Sequence, residues 1–400
     1  MGLQDTVSAE RLHIGFFGLR NAGKSSLVNA VTGQDLCVVS PVKGTTTDPV
    51  QKAMELLPLG PVVILDTPGL DDEGELGYLR VEKARQALAK TDIAVLVVDG
   101  TVGLGEKDRE LITELENRKI PYVLVQNKAD LVTQKEPLPQ NAVYASTVTG
   151  EGVNELKSLL GEFAKQMKNP KLLVGDLLSA GDTVVLVTPI DEAAPKGRLI
   201  LPQQMVLRDV LDAHATAVVC QDTELAQALQ GLQRPPRMVI TDSQAFGKVA
   251  KVVPAQIPLT SFSILMARYK GDLQALVQGF AALKGLQNGD KVLICEGCTH
   301  HRQCNDIGTV KMPGWIEQFS GVKPQYHFTS GGEFPSQLSE YRVIVHCGGC
   351  MLNEAEMKHR MQQAAQAGVP MVNYGVAIAG MHGILKRSVE LFADIAALLD

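Results

Sequence analysis

An apolar run, Ile14-Gly-Phe-Phe17, leads straight into Gly18-Leu-Arg-Asn-Ala-Gly-Lys-Ser25, and a helical pattern follows from Ser26. No other short stretch restricts the fold of this chain as much. The spacing G-x-x-x-x-G-K-S demands a strand, a tight glycine-rich turn and a helix, so that backbone N–H groups wrap a phosphate at the helix N-terminus. In that setting Lys24 reaches the outer phosphate oxygens and Ser25 ligates magnesium, with Gly18, Asn21, Ala22, Gly23 and Ser26 lining the cradle. Across 11–170, apolar strand runs alternate with polar-patterned helices, which predicts a mostly parallel sheet covered on both faces.

Two further strand ends carry polar motifs. Val62-Val-Ile-Leu65 delivers Asp66-Thr-Pro-Gly69, where Asp66 holds magnesium through water and the Gly69 N–H senses the terminal phosphate. Tyr122-Val-Leu-Val125 delivers Asn127-Lys128-Ala-Asp130. The Asp130 carboxylate accepts from guanine N1–H and the exocyclic amine. Adenine has no donor at either place and would leave a buried carboxylate unpaired. Ala145-Ser146-Thr147, ahead of Thr149-Gly-Glu-Gly152, packs the base from behind. The expected activity is therefore hydrolysis of GTP to GDP and phosphate, with Mg²⁺.

This segment resembles the Era/tRNA-modification branch of bacterial GTPases. Its Lys43-Gly44-Thr45-Thr46-Thr47-Asp48 stands where that branch has a magnesium-ligating threonine, which the resemblance places at Thr46, with Thr45 close behind. Asn21 matches the asparagine that holds K⁺ in potassium-dependent relatives. A cation there offsets transition-state charge where other GTPases insert an arginine. The resemblance implies Lys24, Asn21 and Thr46 as the catalytic set; otherwise Asn21 is a turn-stabilising amide. The acidic run Asp71-Asp72-Glu73-Gly-Glu75 reads as a solvated switch.

With 400 residues, 45% of them hydrophobic, the chain can bury two or three cores. A net charge of −6 gives no general reason to expect nucleic acid. No apolar run approaches the about 18–20 residues of a membrane span, no secretory pattern opens the sequence, and Met1–Thr6 fits only a loose myristoylation pattern. Seven cysteines, an odd number, then favour a reducing cytoplasm in which thiols serve metals. Asn169-Pro170 marks a linker. Beyond it Thr183–Val187, Ala217–Val219 and Met238–Ile240 read as short strands, with helices near 203–214, 223–232 and 245–252, giving a small α/β domain over 178–265. A Pro/Gly-containing connection, Thr188–Gly197, follows the first of these strands. His214 and Cys220 are packing positions. With no catalytic constellation, this domain is a candidate for association surfaces.

Residues 270–400 return to strand–helix alternation. Lys291–Ile294 reads as a strand ending at a Cys295–His301 loop, Tyr341–Val345 as one ending at a His346–Cys350 loop, and Pro370–Asn373 as one ending at Tyr374-Gly375. Five of the seven cysteines fall between 295 and 350, in Cys298-Thr-His300 with Cys295 and Cys304 nearby, and in His346-Cys347-Gly-Gly-Cys350. Ligands of open parallel sheets bind beyond the carboxyl ends of the strands, so both loops are expected on one edge. Three thiols from two segments suit an iron–sulfur cluster with one iron lacking a cysteine, because a filled cluster takes four. A Cys-x-x-Cys redox pair is disfavoured by the distant Cys-x-His. Zinc accepts Cys₃His equally well, and sequence chemistry barely separates the two metals. Cys295 ranks below His300 as a fourth ligand because it directly follows the strand. His301, His327, His359 and His382 read as surface or satisfied histidines.

Cys-x-His, about 45 residues, then His-Cys-x-x-Cys, behind an N-terminal GTPase segment, resembles the FeFe-hydrogenase maturation GTPases, the HydF family. The likeness extends to Asp306-Ile-Gly-Thr-Val-Lys-Met-Pro313 and to the Thr188-Pro-Ile-Asp stretch. It implies an α/β chain: an N-terminal P-loop GTPase domain (1–170) followed by two smaller α/β domains with mostly parallel sheets. These would be a dimerisation domain (178–265) and an iron–sulfur domain (270–400). It implies a 4Fe–4S cluster on Cys298, Cys347 and Cys350, with an exchangeable fourth position to which His300 or His346 contributes. It further implies a homodimeric, cytoplasmic scaffold that holds a transient diiron subcluster, made with two radical-SAM maturases, and passes it to apo FeFe-hydrogenase. Cys295 and Cys304 depart from that pattern. The alternative is a tRNA-modification GTPase; that family inserts its G domain within a helical domain and ends in a cysteine motif, whereas this sequence ends Ala396-Ala-Leu-Leu-Asp400. The acidic balance also speaks against a tRNA partner.

Overall fold

Strands that are apolar at nearly every position belong in parallel sheets covered on both faces. The first half of the chain supplies such strands in β1 (Leu12–Phe17), β3 (Gly60–Asp66) and β4 (Ile93–Asp99), whose side chains are buried almost throughout. A computed structural model describes residues 8–35, 50–69, 74–167, 172–189, 199–297 and 306–399, and the chain divides into two units, Met1–Pro170 and Lys171–Asp400. Among the described residues the first unit holds one sheet, in which β2 (Val50–Leu56), β5 (Tyr122–Asn127) and β6 (Ala142–Tyr144) complete the order β2-β3-β1-β4-β5-β6. Only β2 runs antiparallel, against β3. Helices α1 (Lys24–Thr32) and α4 (Val153–Met167) cover one face through Leu27, Val31, Leu156 and Leu160. Helices α2 (Gly74–Ala89) and α3 (Glu106–Asn117) cover the other through Leu88, Leu111 and Leu115. Helix α1 starts at Lys24 rather than Ser26, because Gly23 takes the left-handed conformation (φ 91°) and caps it directly.

The second unit holds two parallel sheets. In one, β7 (Thr183–Val187), β8 (Thr216–Cys220), β9 (Met238–Thr241) and β10 (Leu259–Ser261) stand in the order β10-β9-β7-β8. In the other, β11 (Lys291–Glu296), β12 (Gln325–Ser330), β13 (Val343–His346) and β14 (Met371–Asn373) stand in the order β12-β11-β13-β14. These are one topology used twice, and the registers agree as well. Thr183 pairs with Thr216 as Lys291 pairs with Gln325, and Val184 with Met238 as Val292 with Val343. The turn into the first strand repeats: Asp182 accepts from Ser179 N–H at 2.8 Å, and Asp290 from Gln287 N–H at 2.9 Å. So does the start of the terminal helix, where Ser261 accepts from Ile264 N–H and Asn373 from Val376 N–H.

In chain order the α-helices of this unit, among the described residues, are α5 (Leu201–Asp212), α6 (Leu225–Gln230), α7 (Phe246–Val252), α8 (Phe262–Lys270), α9 (Leu273–Gly279), α10 (Ala281–Lys284), α11 (Met312–Ser320), α12 (Glu354–Gln366), α13 (Tyr374–Met381), α14 (Leu385–Ser388) and α15 (Ala393–Ala396). One continuous core takes in Val185, Val187 and Val239 beside the first sheet and Leu293, Val345 and Val372 beside the second. Residues 178–265 and 270–400, expected as separate domains, thus share a core. Two strand ends also differ from expectation. β11 continues to Glu296, since Cys295 is paired on both sides, with Thr329 and with His346; β13 accordingly ends on His346 instead of Val345. Gly279 closes α9 against β14, where a Cβ would lie 2.0 Å from the Met371 carbonyl oxygen. Gly279→Ala is therefore expected to destabilise this unit by about 1–3 kcal/mol, seen as a lower urea midpoint, with GTP hydrolysis retained.

Candidate functional site

At the carboxyl edge of the first sheet, β1 ends in the glycine-rich loop. Lys24 is buried there, and its Nζ donates to the carbonyls of Gly18 (3.0 Å) and Leu19 (2.9 Å), which holds the ammonium inside the loop. Ser25 Oγ donates to Asp66 Oδ2 at 2.7 Å, so the two expected magnesium groups from different strand ends meet. Asn127 Nδ2 donates to the Ala22 carbonyl at 2.8 Å, and a Cβ on Gly23 would fall 2.2 Å from that amide. The loop is thereby tied to the base-reading motif. Lys128 pairs with Asp99 at 2.5 Å. Burial pushes the Asp99 carboxyl up, but hydrogen bonds from Lys128 and Thr101 outweigh it and leave it below its ordinary value. Ser146, fully buried, donates to Asp130 Oδ1 at 2.5 Å and leaves that exposed carboxylate facing outward from a fixed position. Asn21, at the loop tip, is exposed with φ 61°; Thr147 is half-buried beside Ser146. Ser26 lies in the first turn of α1, and Gly69 is buried just beyond β3. Thr45, Thr46 and Asp71–Glu73 lie outside the described residues.

The second edge lies in the last sheet. Its order places the strand reversal between β11 and β13, the crevice where open α/β sheets bind ligands. Cys347 follows β13 there, and its Sγ accepts from Gly297 N–H (3.0 Å) and Gly349 N–H (3.4 Å). Gly297 is the residue before Cys298. The end of β11 and the His346–Cys350 loop are therefore joined through a cysteine sulfur. Cys350 is largely buried, and burial raises its thiol pKa, with Lys270 and nearby backbone N–H groups pulling the other way. Cys298, His300, His301 and Cys304 lie outside the described residues. Among the described residues no three His, Cys, Asp or Glu side chains converge as a metal site.

Cys295 and His346 are placed by the strands that carry them. Cys295 is 0% exposed within β11, and burial pushes its thiol up to about 11. It points into the sheet and away from the edge. His346, expected as a candidate ligand, has a fully buried ring with both nitrogens hydrogen-bonded in this structure. Arg360 Nη1 donates to Nε2 at 3.1 Å, so Nδ1 carries the proton and donates to the Cys347 carbonyl at 2.8 Å. Arg360, 1% exposed, also donates to Glu356 and to the Gly331 carbonyl, each at 2.7 Å. His346 thus braces the cysteine loop from behind. Sequence reading missed Arg360 and Glu356, whose i, i+4 spacing on α12 was the available signal, and Lys270, one of two cations in the last turn of the otherwise apolar α8. It also missed Glu296, which ends β11 and accepts from the Tyr374 hydroxyl at 3.4 Å. Within the Asp306–Pro313 stretch, Asp306 accepts from Thr309 N–H (2.8 Å) and Thr309 Oγ1 (2.9 Å), capping the turn that leads into α11.

A strand–loop–helix with a buried lysine, a Ser25–Asp66 pair and a base-reading Asn-Lys-x-Asp defines the first unit as a P-loop GTPase domain. Family models agree along the chain. The 50S ribosome-binding GTPase model matches 13–128, the hydrogen maturase F dimerization domain 173–271, and the hydrogen maturase F tetramerization domain 274–391. The chain belongs to the hydrogen maturase F family. Oligomerisation is part of its architecture, and a tetramerization domain over the cysteine-bearing region is an addition to what the sequence led us to expect.

Among curated relatives, the tRNA modification GTPase MnmE of Nitrosomonas europaea is 32% identical over 162 residues, 39% of this chain and 36% of that protein. GTPase Der of Kosmotoga olearia is 31% identical over 191 residues, 42% of this chain and 43% of that protein. The chain thus spans well under half the length of either relative. Among solved structures, Aquifex aeolicus Era bound to GDP·AlF4⁻ has a TM-score of 0.35 at 20% identity, covering 52% of this chain and 94% of that one. The G domain of the T. maritima FeoB iron transporter has a TM-score of 0.30 at 27% identity, covering 39% and 99%.

Burial, with Arg360 alongside, depresses the His346 pKa from 6.5 to about 3. Between those values the unfolded chain binds a proton that the folded chain refuses, so acid favours unfolding across that window. Urea titrations of the metal-free protein are expected to show stability falling as pH drops below about 6.5, by up to about 1.4 kcal/mol per pH unit. His346→Gln is expected to flatten that dependence.

Proposed function

We propose that this chain is a GTP-hydrolysing iron–sulfur scaffold that carries a diiron subcluster precursor as cargo and delivers it to apo FeFe-hydrogenase. The observation that carries the proposal is the Gly297 N–H to Cys347 Sγ bond, which brings the backbone preceding Cys298 to the Cys347–Cys350 loop. The chemistry of the donor set fits a 4Fe–4S cluster: the Cys347 sulfur at the strand-end crevice receives two backbone N–H groups, Cys350 follows on the same loop, and a further thiol, Cys295, is buried within β11. Cys298, Cys347 and Cys350 would hold it. His300 or His346 would contribute at the exchangeable fourth position. When bound, such a cluster supplies one iron with an exchangeable position to which cargo can be bridged. Two radical-SAM maturases would supply the cargo.

In the nucleotide site, Lys24 would bind phosphate oxygens while Ser25, Thr46 and Asp66 would hold Mg²⁺ directly or through water. Asn21 would hold K⁺ beside the phosphates, stabilising transition-state charge. Homodimerisation would use 178–265, where β8 is a sheet edge with open backbone groups and a 44% exposed Val219. The chain's cysteine usage favours a reducing cytoplasm; separately, among the described residues no helix is long and apolar enough to cross a membrane. A tRNA-modification role draws support only from relatives matching about two-fifths of the chain (39%).

Asp130→Asn is expected to exchange guanine for xanthine preference, because an amide can donate to the xanthine C2 carbonyl. Competition of GTP with XTP hydrolysis reads this out, and undiminished guanine preference would refute the role of Asp130. Single replacement of Cys298, Cys347 or Cys350 by Ser is expected to abolish the reduced-cluster electron paramagnetic resonance signal of anaerobically reconstituted protein while GTP hydrolysis survives. Cys295→Ala is expected to keep the signal. Its loss in that variant would make the site four-cysteine and end the open-position mechanism.

A further inference from the structure

Lys270 is the last residue of α8 and is 2% exposed. Its Nζ donates to the Leu352 carbonyl at 2.8 Å and the Cys350 carbonyl at 3.2 Å. Burying an ammonium costs several kcal/mol unless nearby dipoles or charges compensate. Lys270 belongs to the first half of the repeated fold, whereas the loop it grips belongs to the second.

The repeat shows what is ordinary about this contact and what is not. Ser261 corresponds to Asn373 at the start of the terminal helix, so Ser263 corresponds to Gly375 and Lys270 to His382. At the crossing of α8 and α13, Gly375 N–H donates to Ser263 Oγ at 3.2 Å, which joins equivalent positions. Each helix then reaches the other half. Val239 N–H donates to the Pro258 carbonyl as Ile344 N–H donates to the Pro370 carbonyl, both at 2.9 Å, which equates β9 with β13. The His382 ring lies 4.0 Å from the Cβ position of Gly247, in α7 beyond β9, while Lys270 meets the loop beyond β13. Such reciprocity is that of a two-fold arrangement. The reach across is therefore a property of the fold. Beside α7 it ends in an exposed histidine, and at the Cys347–Cys350 loop in a buried lysine.

We propose that Lys270 is a positioning residue for the cluster site, fixing the Cys347–Cys350 loop and supplying the positive charge that favours the reduced cluster; this rests on the cluster assignment above. Lys270 holds the carbonyls of Cys350 and Leu352 and His346 holds that of Cys347, while the Gly349 N–H is directed at the Cys347 sulfur. Fixed charges and N–H dipoles around a cluster are established levers on its potential.

The test is a redox titration, followed by electron paramagnetic resonance, of full-length protein reconstituted anaerobically with ferrous iron and sulfide. Lys270→Met is expected to make reduction at least tenfold harder at a fixed potential, a shift of about 59 mV to more negative values. Lys270→Arg, which keeps charge and donors, is expected to match the wild type. So is Lys291→Met, which removes an exposed lysine paired to Glu340 at the far end of β11. An unchanged potential in a fully loaded Lys270→Met protein would overturn the proposal. Should Lys270→Met fail to load, Lys270→Arg decides: loading with wild-type potential supports the proposal, and failure to load overturns it. A wild-type protein that assembles no cluster would instead end the scaffold assignment itself, and this inference with it.

Discussion

Parallel strands joined by crossover connections must all end on the same edge of their sheet, and the chemistry of this chain depends on that constraint. Each β-strand that matters delivers its motif at its carboxyl end: β1 the phosphate loop, β3 Asp66, β5 Asn127 and Asp130, β11 the approach to Cys298, and β13 Cys347. No long-range folding event is needed to bring Ser25 to Asp66, or Gly297 to Cys347, beyond forming the sheets in the right order. The Ser25–Asp66 and Gly297–Cys347 contacts span 41 and 50 residues, yet they are fixed by neighbouring strands.

Most of the nucleotide site was legible in the sequence because its motifs are demands on local backbone. A glycine at φ 91° beside the Asn127 amide cannot be replaced without a clash, so the spacing leaves a trace in composition. The cysteine edge was legible for a related reason, since apolar strand runs announce where each strand stops. The ends were misjudged by one or two residues where a polar or thiol side chain stays in the ladder, as Cys295 and His346 do.

What stayed hidden depends on partners that sequence spacing cannot pair. The residues beside His346 give no sign that Arg360, from α12, bonds its second nitrogen. Lys270 lies 80 residues from the carbonyl of Cys350. The repeat escaped notice because it is preserved in backbone pairing and turns, while few side chains coincide: Gly181-Asp182 and Gly289-Asp290, Pro258 and Pro370.

Two halves that grip one another reciprocally have the form of a symmetric pair in which both members happen to share a peptide chain. A half-length gene whose product associated about such an axis would yield this arrangement by tandem duplication. Duplication also relaxes selection: once one copy keeps the cysteine-bearing edge, its twin can diverge there without losing the fold. The edge bearing Thr241, Asp242 and Ser261 is where that freedom falls, and it gives this lineage a spare strand-end crevice on which new specificity could be built.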